Sequence, residues 1–326
     1  MSTTVARRSI LALPALLPGL LPRDAHAQSN WPERPVRLLV GYPAGGPTDF
    51  PARLLQDPLQ QLWGQPLVIE NRPGASSVLA SEVVAKAAPD GYTLLMAASV
   101  HASNPAVYPR LPYDTIADFT PIVAIYNSPT VIFVGENSPF RDIRALVEEI
   151  RRQPGITYAS SGNGSSGHFA AAMFAEAHKL DMTHVAYRGA APALQDVMTN
   201  RVPFTFSTLS GALALARDGK LRALAICGPQ RVEVLPDVPT LAEVGLAIPD
   251  TSPWYGFIGP KNLPQPIVSR ISNDVKTLLQ RPDLRRRIID QGGIIMAEGP
   301  AEFAARIRRE MQETAEVARR AQIRAE

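Results

Sequence analysis

The sequence has almost none of the residues that hold a fold together by covalent or metal bonds. Cys227 is the single cysteine among 326 residues, which excludes an intrachain disulfide framework and a multi-cysteine metal site. The five histidines are scattered, and none is paired with a cysteine at the spacing of a zinc motif. We therefore predict a protein with no metal and no cofactor.

Long runs of one residue type are also missing. There is no long basic block, and 33 Lys and Arg residues nearly balance 30 Asp and Glu residues, so nucleic acid is not predicted as a partner. After residue 27 the sequence has no stretch of about 18 apolar residues that could cross a membrane. With 45% hydrophobic residues, however, the chain is apolar enough to fold along its length.

The first 27 residues have the pattern of an export signal. Arg7 and Arg8 provide the positive end, residues 10–21 are mainly apolar, and residues 25–27 form a small-x-small cleavage site. The apolar part is too short, and too often broken by proline, to favour a retained anchor. We predict cleavage after Ala27, export by the general secretory or the twin-arginine route, and a periplasmic mature protein.

One local unit, a short β-rich strand followed by a glycine-rich turn and a helix, occurs four times along the chain. Strands that alternate with helices are typical of parallel sheets flanked by helices. Two units precede residue 100 and two follow residue 155, which predicts two α/β lobes, each with a mainly parallel sheet. The strands and turns of the units occupy residues 36–49, 67–77, 156–167 and 183–192. The predicted first lobe is residues 28–125 with 228–326, and the second is residues 126–227.

All four glycine-rich turns follow the carboxyl ends of strands, where the ligands of open parallel sheets bind. A helix start leaves up to four backbone N–H groups without intrahelical partners, and the helix dipole adds partial positive charge. Glycine lets the backbone approach a ligand closely, so such turns bind carboxylates or phosphates without a lysine. Together the turns predict a cleft between the lobes that holds a small organic acid. Singly, each turn could simply cap its helix.

Asp49, in the first turn of the first predicted helix, has two interpretations. A carboxylate at this position commonly caps the helix and complements its dipole. Alternatively, the carboxylate accepts a hydrogen bond from an ammonium or amide group of the ligand. The residue type and its position leave both interpretations open.

Several motifs in these turns occur together in one known family. They include Gly41-Tyr-Pro-Ala-Gly-Gly-Pro-Thr-Asp49, Val68-Ile-Glu-Asn-Arg-Pro-Gly-Ala75, Tyr158-Ala-Ser-Ser-Gly-Asn-Gly164 and Tyr187-Arg-Gly-Ala-Ala-Pro-Ala-Leu194. In these motifs the chain resembles the Bug-type solute receptors, the extracytoplasmic binding proteins of tripartite tricarboxylate transporters. The resemblance covers essentially the whole mature chain. It implies a type II periplasmic-binding-protein fold that closes on its ligand, a monomer without catalysis, and permease subunits as membrane partners.

The resemblance also implies which residues contact a carboxylated ligand, largely through main-chain groups and bridging waters. In the first lobe they are Gly45, Gly46, Thr48, Asp49, Ala75 and Ser76. In the second lobe they are Ser161, Asn163, Gly164, Ser165, Tyr187, Gly189 and Ala190. Trp254 resembles an aromatic position near the cleft, and core packing is its alternative role. Ser76-Ser77 departs from the family pattern, because glycines are common at these positions.

The sequence therefore predicts a periplasmic receptor that captures a di- or tricarboxylate, an amino acid or an aromatic acid for a permease. A ligand sensor without a permease is one alternative. An exported serine hydrolase using Ser165 or Ser166 with His168 is another, but no G-x-S-x-G motif surrounds either serine. The segment 162–167 fits the dinucleotide pattern G-x-G-x-x-G, although the next strand lacks the acidic residue that this fingerprint requires.

Overall fold

The computed structural model describes residues 31–324, so the predicted export signal lies outside the described residues. The strands are β1 (Val36–Val40), β2 (Leu67–Asn71), β3 (Thr93–Ala98), β4 (Phe119–Asn127), β5 (Thr130–Gly135), β6 (Ile156–Ser160), β7 (Met182–Ala186), β8 (Phe204–Thr208), β9 (Leu221–Ile226), β10 (Trp254–Pro260) and β11 (Ile294–Glu298). The helices are α1 (Asp49–Trp63), α2 (Val78–Ala85), α3 (Val100–Val107), α4 (Ile143–Arg152), α5 (Ser166–His178), α6 (Ala190–Met198), α7 (Leu209–Arg217), α8 (Gln265–Leu278), α9 (Pro282–Asp290) and α10 (Pro300–Arg320). None of the helices within this described range is long and apolar enough to cross a membrane.

The strands form two sheets, one in each lobe. The first sheet has the strand order β11-β4-β10-β3-β1-β2, and the second has the order β7-β6-β8-β5-β9. β1 pairs in parallel with β2 and β3, and β6 pairs in parallel with β7 and β8. The other strand pairs are antiparallel. The predicted two-lobed α/β fold is confirmed, and both sheets are mixed where a mainly parallel arrangement was predicted.

The mixed pairing follows from the route of the chain. Strands joined by a helical crossover commonly run parallel, as the strands of the repeated strand-turn-helix units do. β5 and β6 are an exception, because α4 joins them although they run antiparallel. β5 and β10 are entered from the other lobe, without a crossover helix in their own sheet, and each pairs antiparallel with both neighbours. After α8 and α9 the chain forms β11, which pairs irregularly with β4 at the sheet edge.

Each sheet is buried on both faces. Leu38 and Leu39 of β1 are fully buried in two different apolar clusters, because successive side chains of a strand point to opposite faces. Ile132 and Phe133 of β5 divide between two clusters in the same way. Each such side chain contributes about 2 kcal/mol through burial. This packing makes both sheets firm supports for the turns at their edges.

The lobes are joined by two connections that lie side by side. The chain passes from β4 to β5 through residues 128–129 and returns through residues 227–253. Ser128 N donates to Pro253 O at 3.0 Å, which ties the outgoing connection to the returning one. Ser128 Oγ also lies 3.0 Å from Ser210 Oγ of α7, in the second lobe.

A fifth apolar cluster bridges the lobes. Val107 of α3 packs with Phe169 of α5 and with Val317 of α10. α10 packs mainly against the first lobe, but its last turn reaches the second, where Arg320 pairs with Glu176 at 2.5 Å. In this structure the two lobes are therefore in contact.

Candidate ligand-binding cleft

The turn after β1 is organised around the carboxylate of Asp49. Gly45 N and Arg53 Nε donate to Asp49 Oδ2, at 2.8 and 2.6 Å. Asn71 Nδ2, at the end of β2, donates to Oδ1 at 2.8 Å. The Asp49 residue is fully buried. The structure therefore favours a structural role for Asp49 over contact with a ligand ammonium, since the protein itself supplies three donors to the carboxylate.

The same contacts set the charge of this turn. Burial alone would disfavour ionisation of Asp49, but the hydrogen bonds from Gly45, Asn71 and Arg53 outweigh it and lower the pKa of the carboxyl below its ordinary value. The ionised group holds the turn in shape, with Gly45 at a φ of 81° that favours glycine. Thr48, the N-cap of α1, is buried and makes no side-chain capping bond.

The turn after β2 has an unusual backbone. Ala75, Ser76 and Ser77 have φ values of 44°, 49° and 71°, a region that costs a residue other than glycine about 1 kcal/mol. Asn104 Nδ2 of α3 donates to Ser76 O at 3.0 Å and helps to hold the turn. Glycine would adopt these φ values without that cost. Strained backbone of this kind clusters at binding sites.

The turn after β6 belongs to the second lobe and touches the first. Ser165 is the N-cap of α5, and its Oγ accepts from His168 N at 3.3 Å. Gly164 has a φ of 71°, and a Cβ atom at this residue would lie 2.9 Å from Val107 Cγ2 of α3. The other predicted contact residues of this turn are Ser161, which is exposed, and Asn163, which is half-buried. Glycine at position 164 thus allows the close approach of the lobes.

The turn after β7 is bonded to the turn after β6. Tyr187 Oη donates to Asp196 Oδ2 at 2.6 Å, and burial together with this carboxylate raises the pKa of Tyr187 to about 12. Gly189 N donates to Ser161 O at 3.1 Å. The Tyr187 hydroxyl and the Gly189 amide are therefore engaged within the lobe. Ala190, the first residue of α6, keeps an amide that no helical carbonyl can satisfy.

Trp254 is part of the first lobe's core. The residue is fully buried, its ring meets Phe303 edge-on at 4.8 Å, and its Nε1 donates to Glu310 Oε2 at 2.5 Å. This is the packing role that the sequence left as an alternative. Desolvation raises the pKa of Glu310 to about 7, against the attraction of Arg306.

A pocket lies between the lobes beside the two connections. Its empty space of about 490 Å³ includes open solvent, and it is lined by the start of α3, one face of α5, residues 250–252 and α10. None of the predicted contact residues lines it; Ser166, next to Ser165, comes nearest. Within residues 31–324 no three His, Cys, Asp or Glu side chains are grouped to hold a metal ion.

The geometry gives no support to the serine hydrolase alternative. In the described chain neither the Ser165 nor the Ser166 hydroxyl bonds the ring of His168. A serine and a histidine do meet at Ser160 Oγ and His184 Nε2, which are 2.7 Å apart. Ser160 is fully buried, however, and is not placed to attack a substrate.

Sequence reasoning missed four residues that shape these turns. Arg53 lies one helical turn after Asp49, the spacing at which side chains of a helix interact. Asn71 and Ser160 end parallel strands, at the edge where ligands of such sheets bind. The positions of Arg53, Asn71 and Ser160 could therefore have indicated their roles, whereas nothing in the sequence pointed to a role for His184 of β7.

The two-lobed α/β architecture is shared with a known receptor family. The sequence profile described as "Tripartite tricarboxylate transporter family receptor" matches residues 51–319. The chain belongs to this family. Protein BugT of Bordetella pertussis is 31% identical over 293 residues, which span 89% of this chain and 90% of BugT. The resemblance to Bug-type receptors seen in the sequence is confirmed.

Solved structures similar to this chain share its fold along nearly their whole length. A protein of R. palustris with adipate has a TM-score of 0.83 and 32% identity, and the match covers 90% of this chain and 100% of the other. MatC from Rhodopseudomonas palustris with bound malate has a TM-score of 0.77 and 31% identity, with 88% and 99% covered. Members of the family that resemble this chain thus include proteins solved with dicarboxylates.

Proposed function

We propose that the protein is a periplasmic receptor that captures a short dicarboxylate between its lobes and presents it to a membrane permease. Family membership and the similarity to proteins solved with adipate and malate support this function. The observation that carries the proposal is a set of main-chain amides at the turns of both lobes. The amides of Gly46, Ser76 and Ala190 make no hydrogen bond to other described parts of the chain. Such amides suit the two carboxylates of one ligand.

We propose main-chain contact as the dominant mode of binding. The ligand-facing groups would come from Gly46, Ala75 and Ser76 in the first lobe, and from Ser161, Asn163 and Ala190 in the second. Gly45, Gly164 and Gly189 would shape the turns, because their amides are bonded within the protein. Thr48, Asp49, Ser165 and Tyr187 would act mainly by fixing the turns, because their side chains are buried or bonded within the protein. Trp254 would support the site from the core.

Binding would shift an equilibrium between open and closed lobes. A ligand favours the closed form only by contacting both lobes in it, and the proposed amides lie on turns of both lobes. The lobes proposed to move are residues 28–125 with 228–326, and residues 126–227. The closed form would then dock as a monomer on the permease. The export signal, cleaved after Ala27, would deliver the chain to the periplasm.

The proposed receptor performs no chemistry on its ligand. The buried Ser160 and the absence of a bond between Ser165 and the His168 ring, among the described residues, support this part of the proposal. A thermal-shift screen with malate, succinate and adipate tests it together with native mass spectrometry. A dicarboxylate at 100 times its Kd stabilises the protein by about 2.7 kcal/mol, a rise in melting temperature of roughly 5 °C.

The ligand should be recovered unchanged after incubation. The absence of a melting-temperature shift with any organic acid, or turnover of an ester substrate, would contradict the receptor function.

Thr48→Val tests whether main-chain groups dominate ligand binding, because it removes a buried hydroxyl with little change of shape. Thr199→Val, at an exposed helix end, is the matched control. We expect neither variant to weaken binding by more than about 1 kcal/mol.

A further inference from the structure

The turn after β6 rests on a pair of stacked histidines. His168 of α5 and His184 of β7 have ring centroids 3.8 Å apart and planes inclined by 28°. His184 also stacks on Tyr158 of β6, at 5.1 Å and 25°. Both histidines are half-buried in the second lobe, next to the turn of residues 161–165. The function proposed above assigns no task to either ring.

Each ring is bonded to the turn. His184 Nε2 lies 2.7 Å from Ser160 Oγ, and that hydroxyl lies 3.1 Å from both the N and the O of Gly162. On the other side, Gly164 N donates to His168 Nδ1 at 3.3 Å. One ring thus fixes the beginning of the turn, and the other fixes its end.

The serine hydroxyls complete the network. Ser165 Oγ lies 3.3 Å from Ser160 Oγ, and it accepts from His168 N at 3.3 Å. Side chains therefore join the strand end, the turn and the helix start, in addition to the backbone bond from Ser165 N to Gly162 O at 3.2 Å. Gly162 and Gly164 have positive φ values and no side chain, so this network restricts a turn whose backbone is otherwise adaptable.

We propose that His168 and His184 are positioning residues of the ligand site, which hold residues 161–165 in the one conformation that presents main-chain groups to a carboxylate. The proposal rests on the function proposed above. It assigns to the second lobe the task that the Asp49 carboxylate performs in the first. In each lobe one buried side-chain network shapes a turn whose backbone binds the ligand.

The network requires the ring of His168 to be neutral. His168 Nδ1 can accept from Gly164 only when that nitrogen carries no proton. Desolvation lowers the pKa of His168 to about 3, with a contribution from His184, and desolvation lowers the pKa of His184 to about 4. No carboxylate of the described chain lies within ion-pair distance of either ring. At neutral pH the rings are therefore in the state that holds the turn.

The test compares His184→Leu, which removes the bond to Ser160, with His184→Gln, which places an amide near the position of Nε2. Ser160→Ala breaks the same bond from the other side and leaves the rings in place. His178→Leu, at the far end of α5, is the matched control, because it changes a partly buried histidine that does not touch the turn. Binding of malate or adipate is measured by calorimetry at pH 7.5, and the Gly162 and Gly164 amides are followed by NMR.

We expect His184→Leu and Ser160→Ala to weaken binding about tenfold, the loss of one hydrogen-bonded support. His184→Gln should recover most of the affinity, and His178→Leu should retain all of it. The Gly162 and Gly164 amide resonances should shift or broaden in the two weakened variants only. A merely structural histidine would lower the melting temperature without this pattern of loss and rescue.

Unchanged affinity in both His184→Leu and Ser160→Ala would overturn the proposal, as would equal affinity loss in His178→Leu. If the wild-type protein binds no dicarboxylate, the receptor function fails separately. The positioning role is then decided by the amide resonances, and unperturbed Gly162 and Gly164 amides in His184→Leu would refute it.

Discussion

Replacing Asp49 by Asn is the sharpest test of how the first lobe's turn is held. The change conserves shape but removes the charge, and an amide can accept hydrogen bonds on only one of its two terminal atoms. In the protein both carboxylate oxygens accept: Oδ2 from Gly45 N and Arg53 Nε, and Oδ1 from Asn71 Nδ2. In Asp49→Asn the side-chain NH₂ group must therefore face another hydrogen-bond donor, either Asn71 Nδ2 or the pair Gly45 N and Arg53 Nε.

The expected loss of stability follows from these contacts. One charge-assisted bond is lost, and one buried donor is left without an acceptor, which together cost about 3 kcal/mol. Urea unfolding at pH 7 measures the difference. Asp57→Asn in the same helix is the control, because the Asp57 carboxylate is exposed and accepts only from Gln60 Nε2, at 3.3 Å. We expect Asp57→Asn to change the free energy of unfolding by less than about 0.5 kcal/mol.

The pH dependence provides an independent check. The pKa of Asp49 is lowered by folding, so its stabilisation is fully present above its ordinary pKa of 3.8 and is lost as pH falls through the lower folded value. The difference in free energy of unfolding between the wild type and Asp49→Asn should stay constant from about pH 7 to pH 5 and decrease below about pH 4. A difference under about 0.5 kcal/mol at pH 7, or one that does not decrease in acid, would refute the reasoning.

Binding distinguishes the two interpretations of this residue. If Asp49 only shapes the turn, Asp49→Asn weakens a plain dicarboxylate and an amino-acid ligand by the same factor. If its carboxylate instead receives a ligand ammonium, the amino-acid ligand alone loses affinity. Calorimetry with malate and aspartate separates the two outcomes.

Three further changes test other parts of the structure. Ser76→Gly should raise stability in urea by about 0.5 kcal/mol, because it relieves a positive φ, and a loss of stability would contradict that backbone conformation. Glu310→Gln should stabilise the protein above about pH 7 and have little effect below pH 4.5. In the wild type the raised pKa of Glu310 stabilises the fold at low pH, and this stabilisation is lost as pH rises through about 7. A melting-temperature difference that is independent of pH would contradict this prediction. Gly164→Ala should lower the melting temperature because its Cβ would press on Val107, and an unchanged value would show that the lobes do not approach there.

The sequence determined most of the architecture. The four strand-turn-helix units were visible because strand, glycine-rich turn and helix each depend on neighbouring residues only. They appear as β1 with α1, β2 with α2, β6 with α5 and β7 with α6. The antiparallel pairing of β5 and β10 was not visible, because the direction of each strand depends on which lobe the chain has just left.

The functional class was also determined by the sequence, since glycine-rich turns at strand ends act through the backbone and motifs of this kind are local. The roles of particular side chains were not determined by the sequence. The sequence left the role of Asp49 open between capping and ligand contact. Only the tertiary structure brought Asn71, at the end of β2, to the carboxylate. It also brought His184 to Ser160, 24 residues earlier in the chain.

The difference has one physical origin. A turn's conformation and a helix's partial charge are fixed by residues that are adjacent in the chain, so composition and spacing reveal them. A buried polar group is free to bind a ligand only if no other polar group of the protein lies close enough to hydrogen-bond it. That is decided by the pairing of β1 with β2 and of β6 with β7, which only the folded sheets bring about.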